Sequence, residues 1–211
     1  MPNWTSNVIT VSHPDKSLID AIEATNNSSD GVLATIIPCP QELCDDDLTT
    51  WSHGPEQVER DAKKAALKEK YGFESWYEWN IAHWGTKWDL CEPVITRVND
   101  YTVEISCQTA WSPPIAAFET MVARGYNVRC LYMGEGCEYA GIFDNGQDDY
   151  YNTTNGSRHA AKILPKELDD MFDIVATLEE YESEDEEELT SWIKDGVEQR
   201  TKESKIHEED I

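Results

Sequence analysis

The chain has 211 residues, enough for one domain with an appendage or for two small ones, and for a core that needs no disulfide or metal. Its 39% hydrophobic and 28% charged residues describe a globular chain with polar extras, yet 42 acids against 17 bases leave a net charge of −25. A polyanion of this strength is repelled by nucleic acid and by anionic lipid, which argues against direct nucleic-acid or membrane binding and points to basic partners.

Asn7 to Ser12 is β-branched and alternating and predicts a strand, and His13-Pro14-Asp15 leads into a helix with Leu18, Ile19 and Ile22 at helical spacing. The turn formers from Asn26 to Gly31 stop that helix. Val32 to Ile37 is then expected as a second strand, ended by Pro38-Cys39-Pro40, with loop over 41–54. From Pro55 a helix carrying Val58, Ala62, Ala65 and Ala66 runs to Gly72, a C-terminal cap. In the next helix Phe73, Trp76, Tyr77, Asn80, Ile81 and Trp84 form one stripe, expected to pack against a sheet. Tyr101 to Thr109 alternates apolar and polar residues with period two, the pattern of a half-buried antiparallel strand. Ser112-Pro113-Pro114 opens a helix with Ile115, Phe118, Met121 and Val122, closed by Gly125. A hairpin follows, from Tyr126 to Met133 and from Cys137 to Phe143, around Gly134-Glu135-Gly136.

In order these elements give β-α-β, a helical insertion at about 55–84, then β-α-β-β. This predicts an α+β fold of the ferredoxin-like split β-α-β type over 1–145, with an antiparallel sheet and helices on one face. Residues 146–163 read as a surface loop. Residues 164–211 read as an acidic helical region, beginning with the amphipathic pattern of Leu164, Leu168, Met171, Phe172, Val175 and Leu178. Residues 165–211 hold 18 acids and 5 bases, so about half of the excess charge lies in under a quarter of the chain. The densest part, Glu179 to Glu188, has eight carboxylates in ten residues, and Leu189, Trp192, Ile193 and Val197 suggest one more short helix.

The chemistry-bearing residues are sparse. Cys39, Cys44, Cys91, Cys107, Cys130 and Cys137 are scattered with no CxxC pair, and His13, His53, His83, His159 and His207 have no zinc-site spacing. Nucleophile elbows, phosphate loops and dinucleotide fingerprints are lacking, so no catalytic residue, cofactor or metal is assigned and a non-enzymatic role is expected. Met1 runs directly into Pro2-Asn3-Trp4 with no charged leader, and the apolar runs fall far short of the ~20 residues of a membrane-spanning helix, which predicts a cytoplasmic protein with free thiols.

Several local strings belong together: Met1-Pro2-Asn3-Trp4 with Asn7, Ile37-Pro-Cys-Pro-Gln-Glu-Leu43, Trp84-Gly-Thr-Lys-Trp88-Asp89, Thr109-Ala-Trp-Ser-Pro-Pro114, and Tyr139-Ala-Gly141. On these strings the chain resembles the YubB-type ferredoxin-like domain family of bacteriophages and conjugative plasmids over about residues 1–145. The resemblance implies the fold and a mobile-element origin in a bacterial host, and supplies no catalytic residues. It departs at Thr5, where the family has cysteine, which argues against thiol chemistry there.

Two candidate sites follow. Glu179, Glu180, Glu182, Glu184, Asp185, Glu186, Glu187 and Glu188, with Trp192, are the expected partner-binding surface. Eight charges over ten helical residues approach the one charge per ~1.7 Å of duplex DNA, since a helix rises ~1.5 Å per residue. The expected function is inhibition or modulation of a basic host protein, a defence or nucleic-acid-handling factor, by DNA-like charge mimicry. The alternative is a small-molecule or nucleotide-binding protein or enzyme with a pocket around Trp84, Lys87, Trp88 and Trp111, where a lone lysine sits between indoles. Against that alternative stands a structural reading in which Trp84 and Trp88 anchor a turn at Gly85 and Lys87 makes a cation–π contact.

Overall fold

A computed structural model of the chain describes residues 3–27, 31–50, 54–187 and 192. Two compact units divide it, residues 1–151 and 152–211.

The first unit is built on a single antiparallel sheet whose strand order is β2-β3-β1-β4-β5-β6. β1 (Trp4–Ser12) is central: it pairs over its whole length with β3 (Thr102–Ala110) and from Thr5 onward with β4 (Asn127–Gly134). β2 (Cys91–Asn99) lies outside β3, and β5 (Tyr139–Asp144) and β6 (Gln147–Asn152) extend the other side. Period-two alternation decides the faces. Val103, Ile105 and Cys107 of β3 are buried while Glu104, Ser106 and Gln108 are exposed, and Ile9 faces both Ile105 and Cys130 in register.

Among the described residues five α-helices accompany the sheet. α1 (Lys16–Ala24) is capped by the Asp15 carboxylate, which accepts from the Ser17 backbone N–H, and buries Ile19 and Ile22. α2 (Val32–Ile36), α3 (Pro55–Tyr71) and α4 (Trp76–Trp84) precede β2, and α5 (Ile115–Ala123) joins β3 to β4. Ile19, Ile22, Leu33, Ile36, Trp79, Trp84, Phe118 and Met121 share one hydrophobic cluster with Ile9, Val11, Val103, Ile105, Val128, Cys130 and Phe143. The buried sheet face and these helices thus form one core. At roughly 1.5–3 kcal/mol per fully buried large aliphatic or aromatic side chain, this cluster is the main source of the unit's stability.

Three sequence expectations need correction. Val32 to Ile37 is not a strand: residues 32–36 are helical. The cause is tertiary, because the Asp89 carboxylate accepts from the backbone N–H groups of Leu33 and Ala34 at 2.9 and 2.7 Å and so caps α2 from 55 residues away. The strand that follows the helical insertion is instead β2, hidden by Glu92-Pro93: Glu92 has φ 50 and the register slips between Cys91 and Val94, a bulge that an edge strand tolerates. The expected loop 146–163 holds β6 and a helix. Asn145 and Gly146 have φ 48 and 102, the positive pair of a two-residue hairpin turn, and this turn reverses β5 into β6.

The second unit contains α6 (Ser157–Ile163), α7 (Lys166–Phe172) and a helix over 174–187, here α8. The predicted amphipathic helix from Leu164 is broken at Asp173, which takes the left-handed conformation at φ 53, while the Asp169 carboxylate caps the restart by accepting from the Val175 N–H. Glu188 and the short helix expected around Leu189, Ile193 and Val197 lie outside the described residues; Trp192 is helical and exposed. Among the described residues no helix is long and apolar enough to cross a membrane.

Asp89 is mostly buried, and burial pushes its carboxyl above the ordinary range against the downward pull of the backbone N–H groups it accepts from. Replacing it by alanine strands those donors, so Asp89→Ala is expected to lower the unfolding free energy in urea by about 1–3 kcal/mol, with Asp89→Asn losing less because one acceptor remains. Equal stability of Asp89→Ala and the parent would refute the capping role.

Candidate functional site

Lys87 is placed by the end of α4. Gly85 ends that helix in the left-handed region at φ 81, and the Lys87 carbonyl accepts from Asn80 Nδ2 at 3.0 Å. The ammonium then stands 4.4 Å from the Trp88 ring centroid, 5.4 Å from that of Trp111 and 5.7 Å from that of Tyr77. Among the described residues no carboxylate pairs with it. Three aromatic faces therefore replace the usual counter-ion. Trp4 packs against Trp88, with ring centroids 6.1 Å apart.

Trp84 does not join this group. It is buried against Trp79 and donates from Nε1 to the Ile37 carbonyl at 3.0 Å, so its role is to anchor the core. The stripe on α4 is also rotated from the expected one: Trp79 is buried and Ile81 is largely exposed. The remaining members, Lys87, Trp88 and Trp111, do come together, with Tyr77 as a fourth. Lys87 and Trp88 open on a cleft of about 700 Å³ bounded by Leu48, Lys64, Glu74 and Tyr77, whereas Trp111 lines a different groove with Tyr139 and Tyr150.

Trp111 is held in an unfavourable backbone state, φ 73, which costs a non-glycine residue about 1–2 kcal/mol. Both of its backbone polar groups are tied: its N–H donates to the Asn3 carbonyl at 2.9 Å, and its carbonyl accepts from the Tyr139 hydroxyl at 3.0 Å. Tyr139 in turn meets the Thr5 hydroxyl at 2.7 Å, and Asn7 Nδ2 donates to the Thr5 carbonyl and to Thr109 Oγ1. Thr5, Asn7 and Thr109 are all fully or almost fully buried, so the end of the sheet's inner face is a satisfied polar network. Thr5 is part of this scaffold. Burial pushes the Tyr139 and Tyr132 phenols above their usual range, keeping both neutral donors.

On the second unit, the two carboxylate oxygens of Glu182 accept from the Ser157 N–H and hydroxyl, both at 2.8 Å, which caps α6 and lowers the pKa of Glu182. Glu179, Glu182 and Glu186 line a groove with Arg158 and Lys162 of α6. Glu180, Glu184, Asp185 and Glu187 are exposed and have no basic partner among the described residues. Seven of the eight carboxylates of the run are thus divided by the fold between those that line the groove with Arg158 and Lys162 and those that do not, Glu188 lying outside the described residues. Among the described residues no group of three or more His, Cys, Asp or Glu side chains is arranged to hold a metal ion.

No family model and no curated protein matches the chain. Among solved structures it is similar to the crystal structure of a protein api92 from Yersinia pseudotuberculosis, of the DUF1281 family, with a TM-score of 0.35 and 9% identity over 72% of this chain and 99% of that one.

Lys87→Met keeps the apolar stem and removes the charge. It is expected to cost about 1–2 kcal/mol of unfolding free energy in urea, the worth of a partly desolvated cation–π group. A variant as stable as the parent would show that the three rings do not hold the ammonium.

Proposed function

We propose that this chain is a non-enzymatic binding protein that docks a basic protein partner through the solvent-facing carboxylates of α8. The single observation that carries the reading is the row formed by Glu180, Glu184 and Glu187, spaced at i, i+4 and i+7 along one helix face, flanked by Asp185 and without internal cations. These four charges span seven residues of rise, roughly 10 Å, or about one charge per 3.5 Å, against ~3.4 Å per phosphate along one DNA strand. Like charges so spaced cost a helix a few tenths of a kcal/mol per pair, a cost that a bound cationic surface would offset.

In this reading the protein inhibits or modulates a basic host factor that handles nucleic acid or serves in defence, acting in the host bacterial cytoplasm. The mobile-element setting rests on the family resemblance of the Met1–Trp4, Trp84–Trp88 and Thr109–Pro114 strings. We read the frame of the first unit as a ferredoxin-like split β-α-β sandwich: order β2-β3-β1-β4 with α1 and α5 in the two crossovers, α2 to α4 inserted before β2, and the β5–β6 hairpin added at one edge. The alternative, an anion or nucleotide site beside Lys87, draws support from that ammonium's having no carboxylate partner among the described residues. It is the weaker reading because three aromatic rings already solvate the charge.

Glu180, Glu184 and Glu187 replaced together by Gln should reduce capture of basic proteins from bacterial lysate at least about tenfold, and capture by the parent should fall steeply between 50 and 200 mM salt, conditions chosen because surface charge pairs are screened over ~10 Å at 0.1 M. Equal capture by parent and variant at low salt would sink the proposal.

A further inference from the structure

The groove on which Trp111 opens differs from the Lys87 cage in one decisive respect: it has aromatic walls and a carboxylate but no cation of its own. Its lining comprises Trp111, Pro113, Tyr132, Tyr139, Asp148 and Tyr150, together with Gly85, Ser112 and Ile115, and encloses about 410 Å³. No basic side chain is among them. Trp111 is 45% and Tyr150 57% exposed, a large apolar surface for two residues of a water-exposed edge. Asp148 is exposed and forms no ion pair among the described residues.

The groove is built with some care. A Cβ on Gly141 would lie 2.2 Å from the Tyr132 ring, and one on Gly134 would lie 2.4 Å from the Tyr139 ring, so the two strand glycines make room for the two tyrosines to lie over the sheet. The Tyr132 hydroxyl donates to Asp148 Oδ1 at 2.8 Å and fixes the carboxylate while leaving Oδ2 open. Tyr139 and Tyr150 stack, with centroids 5.5 Å apart and planes 23° apart, and the Tyr139 hydroxyl holds the Trp111 carbonyl. Every wall is therefore positioned by a contact to another wall.

We infer that this groove is a binding site for an arginine side chain of a protein partner, the guanidinium pairing with Asp148 and lying against the faces of Trp111, Tyr139 and Tyr150. Aromatic faces attract cations, and a planar, weakly hydrated guanidinium matches flat rings and a fixed carboxylate better than an ammonium does. The Lys87 ammonium, 5.4 Å from the Trp111 centroid, opposes a second cation at that ring, and Asp148 is the compensating charge. The site rests on the proposed basic partner only for the source of the arginine; its chemistry is independent of α8.

The test uses the full chain and Nα-acetyl-arginine N-methylamide, followed by NMR of the Trp111 indole N–H, assigned with Trp111→Phe. Saturable shifts at Trp111 are expected, with the lysine analogue weaker and the neutral citrulline analogue inert. Asp148→Asn, and separately the exposed-site variant Tyr150→Leu, should each weaken binding about tenfold. Binding unchanged in both variants, shifts of equal size with the citrulline analogue, or shifts confined to residues 174–187 would overturn the site. That last result would leave the acidic row of α8 standing. Conversely, Trp111 shifts together with unaltered partner capture by the Glu180/Glu184/Glu187 variant would remove the acidic row and leave the groove.

Discussion

The first unit depends on the way β1 changes character along its inner face. Val11 and Ile9 are apolar and enter the common core, whereas Asn7 and Thr5 continue the same alternation with polar side chains that are equally buried. Buried amide and hydroxyl groups are tolerable only if paired, at a cost of about 1–3 kcal/mol for each one left unmade. Thr109, Tyr139 and the Ser112 carbonyl are recruited to satisfy them or their partners. That requirement carries the chain after β3 into the sharp corner at Trp111, where the Tyr139 hydroxyl and the Asn3 carbonyl hold a left-handed tryptophan. The ring is then presented to Lys87 and, at once, to the Asp148 groove. Strain of this kind persists only where the surroundings over-determine it, and the polar end of β1 is that surrounding.

What was legible in the sequence followed the strength of its local periodicity. The alternation from Tyr101 to Thr109 needs no partner to be read, and β3 lies there. The six-residue apolar run at Val32 has no such internal evidence, since a short apolar segment fits a buried strand or a buried helix equally, and the deciding atom is a carboxylate at Asp89. Pro93 masked β2 because proline is a poor strand residue except at an edge, and edge position is a property of the sheet, not of the segment. The β5–β6 hairpin was missed although Asn145-Gly146 is a hairpin-turn pair, because the run of aspartates around it reads as loop.

The candidate sites divide along the same line. Lys87, Trp88 and Trp111 are brought together from two segments 23 residues apart. Trp84 shares the motif but belongs to the core, because helix phase and not sequence proximity sets which way an indole points. Tyr139, Tyr150 and Asp148 carried no signal as a group: their convergence requires β5 and β6 to be in place, and β6 was hidden by its composition. Glu182 reads as one of eight equivalent carboxylates and is in fact a helix cap.

The charge excess and the aromatic surface pose one chemical problem from two ends. A chain with 42 acids and 17 bases gains little from one more surface ion pair, since exposed pairs contribute about 0–1 kcal/mol and are screened by salt. Two of its cations are placed where geometry adds to the pairing: Arg97 bridges Asp20 and Glu23 at 3.0 and 2.9 Å, and Lys87 stands among three rings. Among the described residues Glu180, Glu184, Asp185 and Glu187 of α8 and Asp148 have no such partner. Long-range attraction from the net charge supplies encounter without selectivity, while rings and a fixed carboxylate supply selectivity at short range and little reach. A partner recognised by both terms must be basic overall and must carry a guanidinium able to enter an aromatic groove, which is a narrower description than negative charge alone provides.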